Sequence, residues 1–152
     1  MKLRSVLAFA LRRYSEFLKK ADSIEKARAM MAESLDVQKA FLERPGTAAN
    51  LLNDYADTLL KCEYPELRDD QKALQIMLKV EELSKSSNPV FLDTLAWAYY
   101  LSNDQTKAIA TERKALSLLA PDPPGTPAGG LRAEIEQGLA EFQTTRSSAK
   151  LP

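Results

Sequence analysis

Apolar side chains return every three or four positions along almost the whole chain, and in no segment do they alternate singly. Only a helix, at 3.6 residues per turn, gathers residues so spaced onto one face; a half-buried strand needs a period of two. The spacing predicts an all-α protein. Its interruptions fall at Ala21-Asp22, Arg44-Pro45-Gly46, Glu63 to Arg68 around Pro65, Asn88-Pro89, Ser102-Asn103-Asp104 and Pro121 to Gly130. Proline, glycine and short polar side chains at these points break the helical hydrogen-bond ladder. Seven helices result, over 3–20, 23–43, 47–62, 69–85, 89–102, 104–119 and 130–145, followed by a flexible tail over 146–152.

Several helix ends have local causes. Asp22, with Glu25 three residues on, has the spacing of a capping box, each side chain accepting from a free amide of the first turn. Asp104 can cap the sixth helix, and Asn103 before it tolerates the left-handed backbone of a tight helix-to-helix turn. Pro89 suits a first helical position because the amide it lacks would have no partner there. The run Pro121 to Gly130 cannot continue a helix and reads as a linker before the last one.

Composition narrows the chemistry. At 152 residues with 45% apolar side chains, the chain can bury its own core, so one soluble domain over 1–145 is expected. It has no histidine, hence no imidazole base or ligand. The single cysteine, Cys62, leaves no intrachain disulfide or multi-cysteine metal site and fits a reducing compartment. The glycines match no phosphate-cradling loop. Ser23 and Lys26 have a Ser-x-x-Lys spacing but nothing else of such a catalytic site accompanies them. With 21 basic and 21 acidic groups, no general attraction to nucleic acid or anionic membranes is expected. The balance is uneven, since residues 1–44 carry net +4 and residues 45–88 net −3. The apolar run Ser5 to Leu11 is closed by Arg12-Arg13 without a small-residue cleavage site, and no stretch approaches the roughly 20 apolar residues of a membrane span. A cytoplasmic, non-enzymatic binding or scaffolding role without cofactor or metal is the expectation.

Paired helices with short connections prompt a search for a repeat. In residues 88–121, Leu92, Leu95, Ala96 and Tyr99 share one face of the first helix, and Ala108 and Ala115 lie on the inward face of the second. This resembles the tetratricopeptide repeat, a helix–turn–helix of 34 residues. The departures are Glu112, where an aromatic is usual, and Pro121, one residue late. A second unit has Leu52, Tyr55, Ala56 and Leu59, then Ala73, Met77 and Val80, with five extra residues in the turn. A fainter one has Leu11, Tyr14, Ser15 and Leu18, then Ala27, Met31 and Ser34. The resemblance implies a right-handed superhelical stack of about three units, 3–44, 47–87 and 88–121. A capping helix over 130–145 turns Leu131, Ile135, Leu139 and Phe142 inward. The Cys62 turn with Leu67-Arg68-Asp69, and Leu92 to Ala96 opening the next unit, look like a bacterial version of the repeat. That version often ends multidomain proteins such as eukaryotic-like serine/threonine kinases.

Repeats of this family bind peptides in a concave groove lined by the first helix of each pair. By that resemblance the groove residues here are Arg12, Glu16, Lys19, Asn53, Asp57, Asp93, Trp97 and Tyr100. Phe9, Asn50, Leu60 and Val90 occupy the remaining groove places. Trp97 and Tyr100 are stiff aromatic anchors of the kind enriched at binding hot spots. Asp57 and Asp93 would make one end negative, Arg12 and Lys19 the other positive. The expected partner is a protein or peptide bearing an apolar anchor beside a basic group. The other reading is that Trp97 and Tyr100 pack against a neighbouring helix or the linker. A second function class is a self-associating homo-oligomer, the structural or regulatory tail of a bacterial serine/threonine kinase, using Val6, Leu7, Phe9 and Ala10.

Overall fold

A computed structural model describes residues 2–42, 44, 46–85, 87–120 and 130–148. They form α1 (Lys2–Lys20), α2 (Ile24–Leu42), α3 (Ala49–Lys61), a 3-10 turn (Pro65–Leu67), α4 (Asp70–Ser84), α5 (Pro89–Leu101), α6 (Gln105–Leu118) and α7 (Gly130–Ser148). No strand occurs among the described residues, and none of their helices is long and apolar enough to cross a membrane. The expected linker over 121–129 and the tail beyond Ser148 lie outside the described residues, and α7 runs on past the expected end at 145.

The chain divides into two compact units, Met1–Asp69 and Asp70–Pro152. The boundary passes through residues 47–87, placing α3 in the first unit and α4 in the second. In the first, α1 folds back on α2, and α2 packs in turn on α3. Ala8, Leu18, Ala27, Met31, Leu35 and Phe41 are buried, as are Leu52, Tyr55, Ala56 and Leu59 of α3. The α1–α2 seam is held close by two buried hydroxyls. Ser15 donates to the Ala27 carbonyl at 2.6 Å and Ser34 to that of Ala8 at 2.8 Å, so small polar residues approach the opposing backbone with their hydrogen bonds satisfied. Tyr14, expected on the inward face, is instead half exposed and stacks on Phe17 with ring centroids 6.3 Å apart. It lies on the α1 face away from the seam.

The connection between α1 and α2 corrects one expectation. Asp22 does not open α2; it closes α1, with φ 56°. Its amide bonds to Lys19 O and that of Ser23 to Leu18 O, the paired bonds of a left-handed helix end. Ser23 then precedes α2, and its carbonyl accepts from Ala27 N at 2.9 Å. A residue in the left-handed region cannot also hold the extended backbone of an N-cap.

In the second unit α4 packs on α5, α5 on α6, and α7 on α6 and α5. Ala96 and Ala108 are fully buried where α5 meets α6, as their small size at those places predicts. Asn88 accepts from Val90 N at 3.0 Å ahead of Pro89, and Asp104 accepts from Lys107 N at 3.2 Å. Asn103, at φ 63°, makes the tight turn between α5 and α6. Ile135 and Phe142 of α7 are fully buried, while Leu131 and Leu139 are partly so.

Candidate partner-binding cleft

In the first unit, residues of α1, Met31 of α2, α3 and the turn after it enclose a cleft of ≈ 540 Å³. Four of the eight sequence-derived site residues, Arg12, Glu16, Lys19 and Asp57, line it together. Helical spacing explains the first three, since positions 12, 16 and 19 fall on one face. The floor is made by the buried Ser15, Met31, Thr58 and Cys62. Thr58 spends its proton on the Asp54 carbonyl at 2.7 Å and accepts from Arg12 Nη1 at 3.4 Å, so a floor hydroxyl fixes the guanidinium.

The rim charges are mostly committed to one another. Lys19 bonds to Glu63, which raises the ammonium pKa, and Lys61 pairs with Asp57 at 2.7 Å one turn away. Glu16 pairs with Arg13 at 2.5 Å. Among the described residues no carboxylate closes on Arg12 or Lys20. Arg12 lies 5.9 Å from the Phe9 ring centroid, and its charge partly offsets the burial that raises the Asp54 carboxyl. Asp57 therefore sits in the same cleft as Arg12 and Lys19, already neutralised, and does not form a separate acidic end. Burial pushes the Cys62 thiol up, with Glu66 and Glu63 adding to the effect, so the thiol at the floor stays protonated. The turn is held shut by Arg68, which donates to the Leu60 carbonyl at 2.8 Å, and by Arg28, 3.3 Å from Glu66.

The other site residues lie elsewhere. Asn53 is buried in α3 and does not line this cleft. In the second unit Trp97 and Tyr100 meet edge to face at 5.9 Å. Phe142 of α7 seats against both, at 4.9 Å and 4.6 Å between ring centroids. The aromatic pair thus serves the docking of α7.

Asp93 is buried beside the fully buried Glu112. Burial, then the charge of and hydrogen bond to Asp93, push the Glu112 carboxyl up to about 9, so at neutral pH it keeps its proton. A Cβ at Gly138 of α7 would lie 2.6 Å from Glu112 Oε1 and 3.4 Å from Trp97 Nε1. The glycine leaves room for the Glu112 carboxyl, which any larger residue there would oblige to shift. Glu112 had stood out as a departure from the repeat pattern, but nothing in the sequence linked it to Gly138, 26 positions on.

Among the described residues no group of three or more Cys, Asp or Glu side chains is placed to hold a metal ion. No protein-family profile matches the chain, and no curated protein is significantly similar to it.

Proposed function

We propose that this protein is a non-catalytic interaction module, built on tetratricopeptide-like helix pairs, that binds a segment of a partner protein in the α1–α3 cleft. One observation carries the reading. Arg12 is held by a buried floor hydroxyl, forms no ion pair among the described residues, and opens onto a cleft where Glu16, Lys19, Asp57 and Lys61 are paired and Lys20 is a second cation without an ion pair among those residues. A carboxylate on an incoming peptide would complete it through charge-assisted hydrogen bonds. This replaces the basic group expected from the sequence, since Asp57 is already paired and Asp93 is buried. The helical-pair packing, with Ser15 against Ala27 and Ala96 beside Ala108, supports the repeat assignment.

Panning a random peptide library displayed on phage against the protein tests the idea. Binders should carry an Asp or Glu, and should lose at least about tenfold in affinity towards Arg12→Glu. Clones that bind Arg12→Glu as well as the parent, or a library that yields no binder, would overturn it.

A further inference from the structure

The outer face of α1 carries a second surface, which shares Lys20 with the rim of the cleft. Leu3, Leu7, Ala10, Tyr14 and Phe17 recur at spacings of four, three, four and three, and all five are exposed, Leu3 at 87% and Phe17 at 64%. Val6, also 64% exposed, widens the stripe. A spacing that averages 3.5 residues is the seam of two helices wound on each other, narrower than the stripe a surface helix turns towards a globular core. The inward face of α1, with Ala8, Ser15 and Leu18, is already taken by α2, so the stripe is additional to what the unit needs for its own core.

The flanks are basic. Arg13 and Lys20 run along one edge and Arg4 stands at the other. The one acidic side chain of α1, Glu16, is engaged by Arg13 at 2.5 Å. Arg4 and Lys20 form no ion pair among the described residues. A second copy of α1 would bring the same cations to the seam and repel.

We propose that this face docks a helix of another protein, apolar along its own heptad seam and acidic at the flanking positions, by a seam-to-seam contact distinct from the α1–α3 cleft. Leu7 and Phe17 supply the buried anchors, while Arg4 and Lys20 select the sign of the partner.

The probe is a fluorescent three-heptad peptide with leucine at both seam positions and glutamate at the flanks, titrated against the whole chain by anisotropy. It should bind, weaken as salt is raised, and weaken by about tenfold or more for the Leu7→Ser/Phe17→Ser protein. A lysine-flanked peptide should not bind the parent but should bind Arg4→Glu/Lys20→Glu; this exchange of preference separates docking from mere misfolding of a variant. Three results would each overturn the inference: equal binding of both peptides, no binding of the glutamate peptide, or unchanged binding by the serine variant. So would a dimer in sedimentation equilibrium that the serine substitutions abolish, or binding to phosphatidylcholine vesicles containing one third phosphatidylserine without binding to the peptide. Arg12→Glu, which tests the cleft, should leave this peptide's affinity unchanged.

Discussion

At the scale of single residues, Glu112 is the most consequential side chain in the second unit. Its folded carboxyl titrates near 9 against an ordinary value of 4.5, so over that interval the folded chain holds a proton that the unfolded chain has lost. Stability should be highest below the lower value and fall as pH rises towards the upper one, by up to about 1.4 kcal/mol per pH unit. Urea midpoints read by Trp97 fluorescence across pH 5 to 9 check this. Glu112→Gln, which keeps the shape and a donor for Asp93, should flatten the slope; a parent protein with a constant midpoint would refute the assignment. The chain has no histidine, so no other side chain ordinarily titrates near neutrality to mask the trend. Sequence could identify Glu112 as misplaced for its register, but not that a second carboxyl and a missing Cβ would surround it. That depends on a contact between helices far apart in the chain.

At the scale of elements, the helices were almost wholly legible because their causes are local. The seven expected segments and the seven α-helices among the described residues agree to within a residue or two at nearly every boundary. Asn103 shows why: its side chain tolerates φ 63°, and the Asn103 and Asp104 amides return to the Tyr100 and Tyr99 carbonyls. Asn103→Ala should cost about 1 kcal/mol in urea denaturation, whereas Asn103→Gly should be near neutral. Equal losses would mean that the backbone angle is not what selects asparagine. The error at Asp22 has the same origin. An acid three residues before a glutamate reads as a start signal, yet one residue cannot hold both the left-handed angle that ends α1 and the extended angle that begins α2. Arg12, Glu16 and Lys19 were grouped through the resemblance to the repeat family, and all three line the cleft. The pairing of Lys19 was not legible, because its partner Glu63 lies in the turn after α3, 44 positions on.

At the scale of the whole chain, the division at Asp69 and Asp70 gives each unit its own natural reporter: Cys62, buried in the first, and Trp97, the only tryptophan, in the second. At pH 8, Glu112→Gln should raise the Trp97 midpoint while the rate of Cys62 labelling by a disulfide reagent stays at the parent value. A change in labelling would show that the two cores do not respond separately. Repeat periodicity could not place that division, since it treats 47–87 as one unit whichever neighbour each of its helices prefers. The close contact of Gly138 with Glu112 also restricts how the end of the chain can be threaded. A slip of α7 by one turn would bring Glu134 or Phe142 to that point, opposing a carboxyl with another carboxyl or filling the gap with a ring. The acid and the glycine together act as a register key, admitting the last helix in one alignment and penalising its neighbours in both directions.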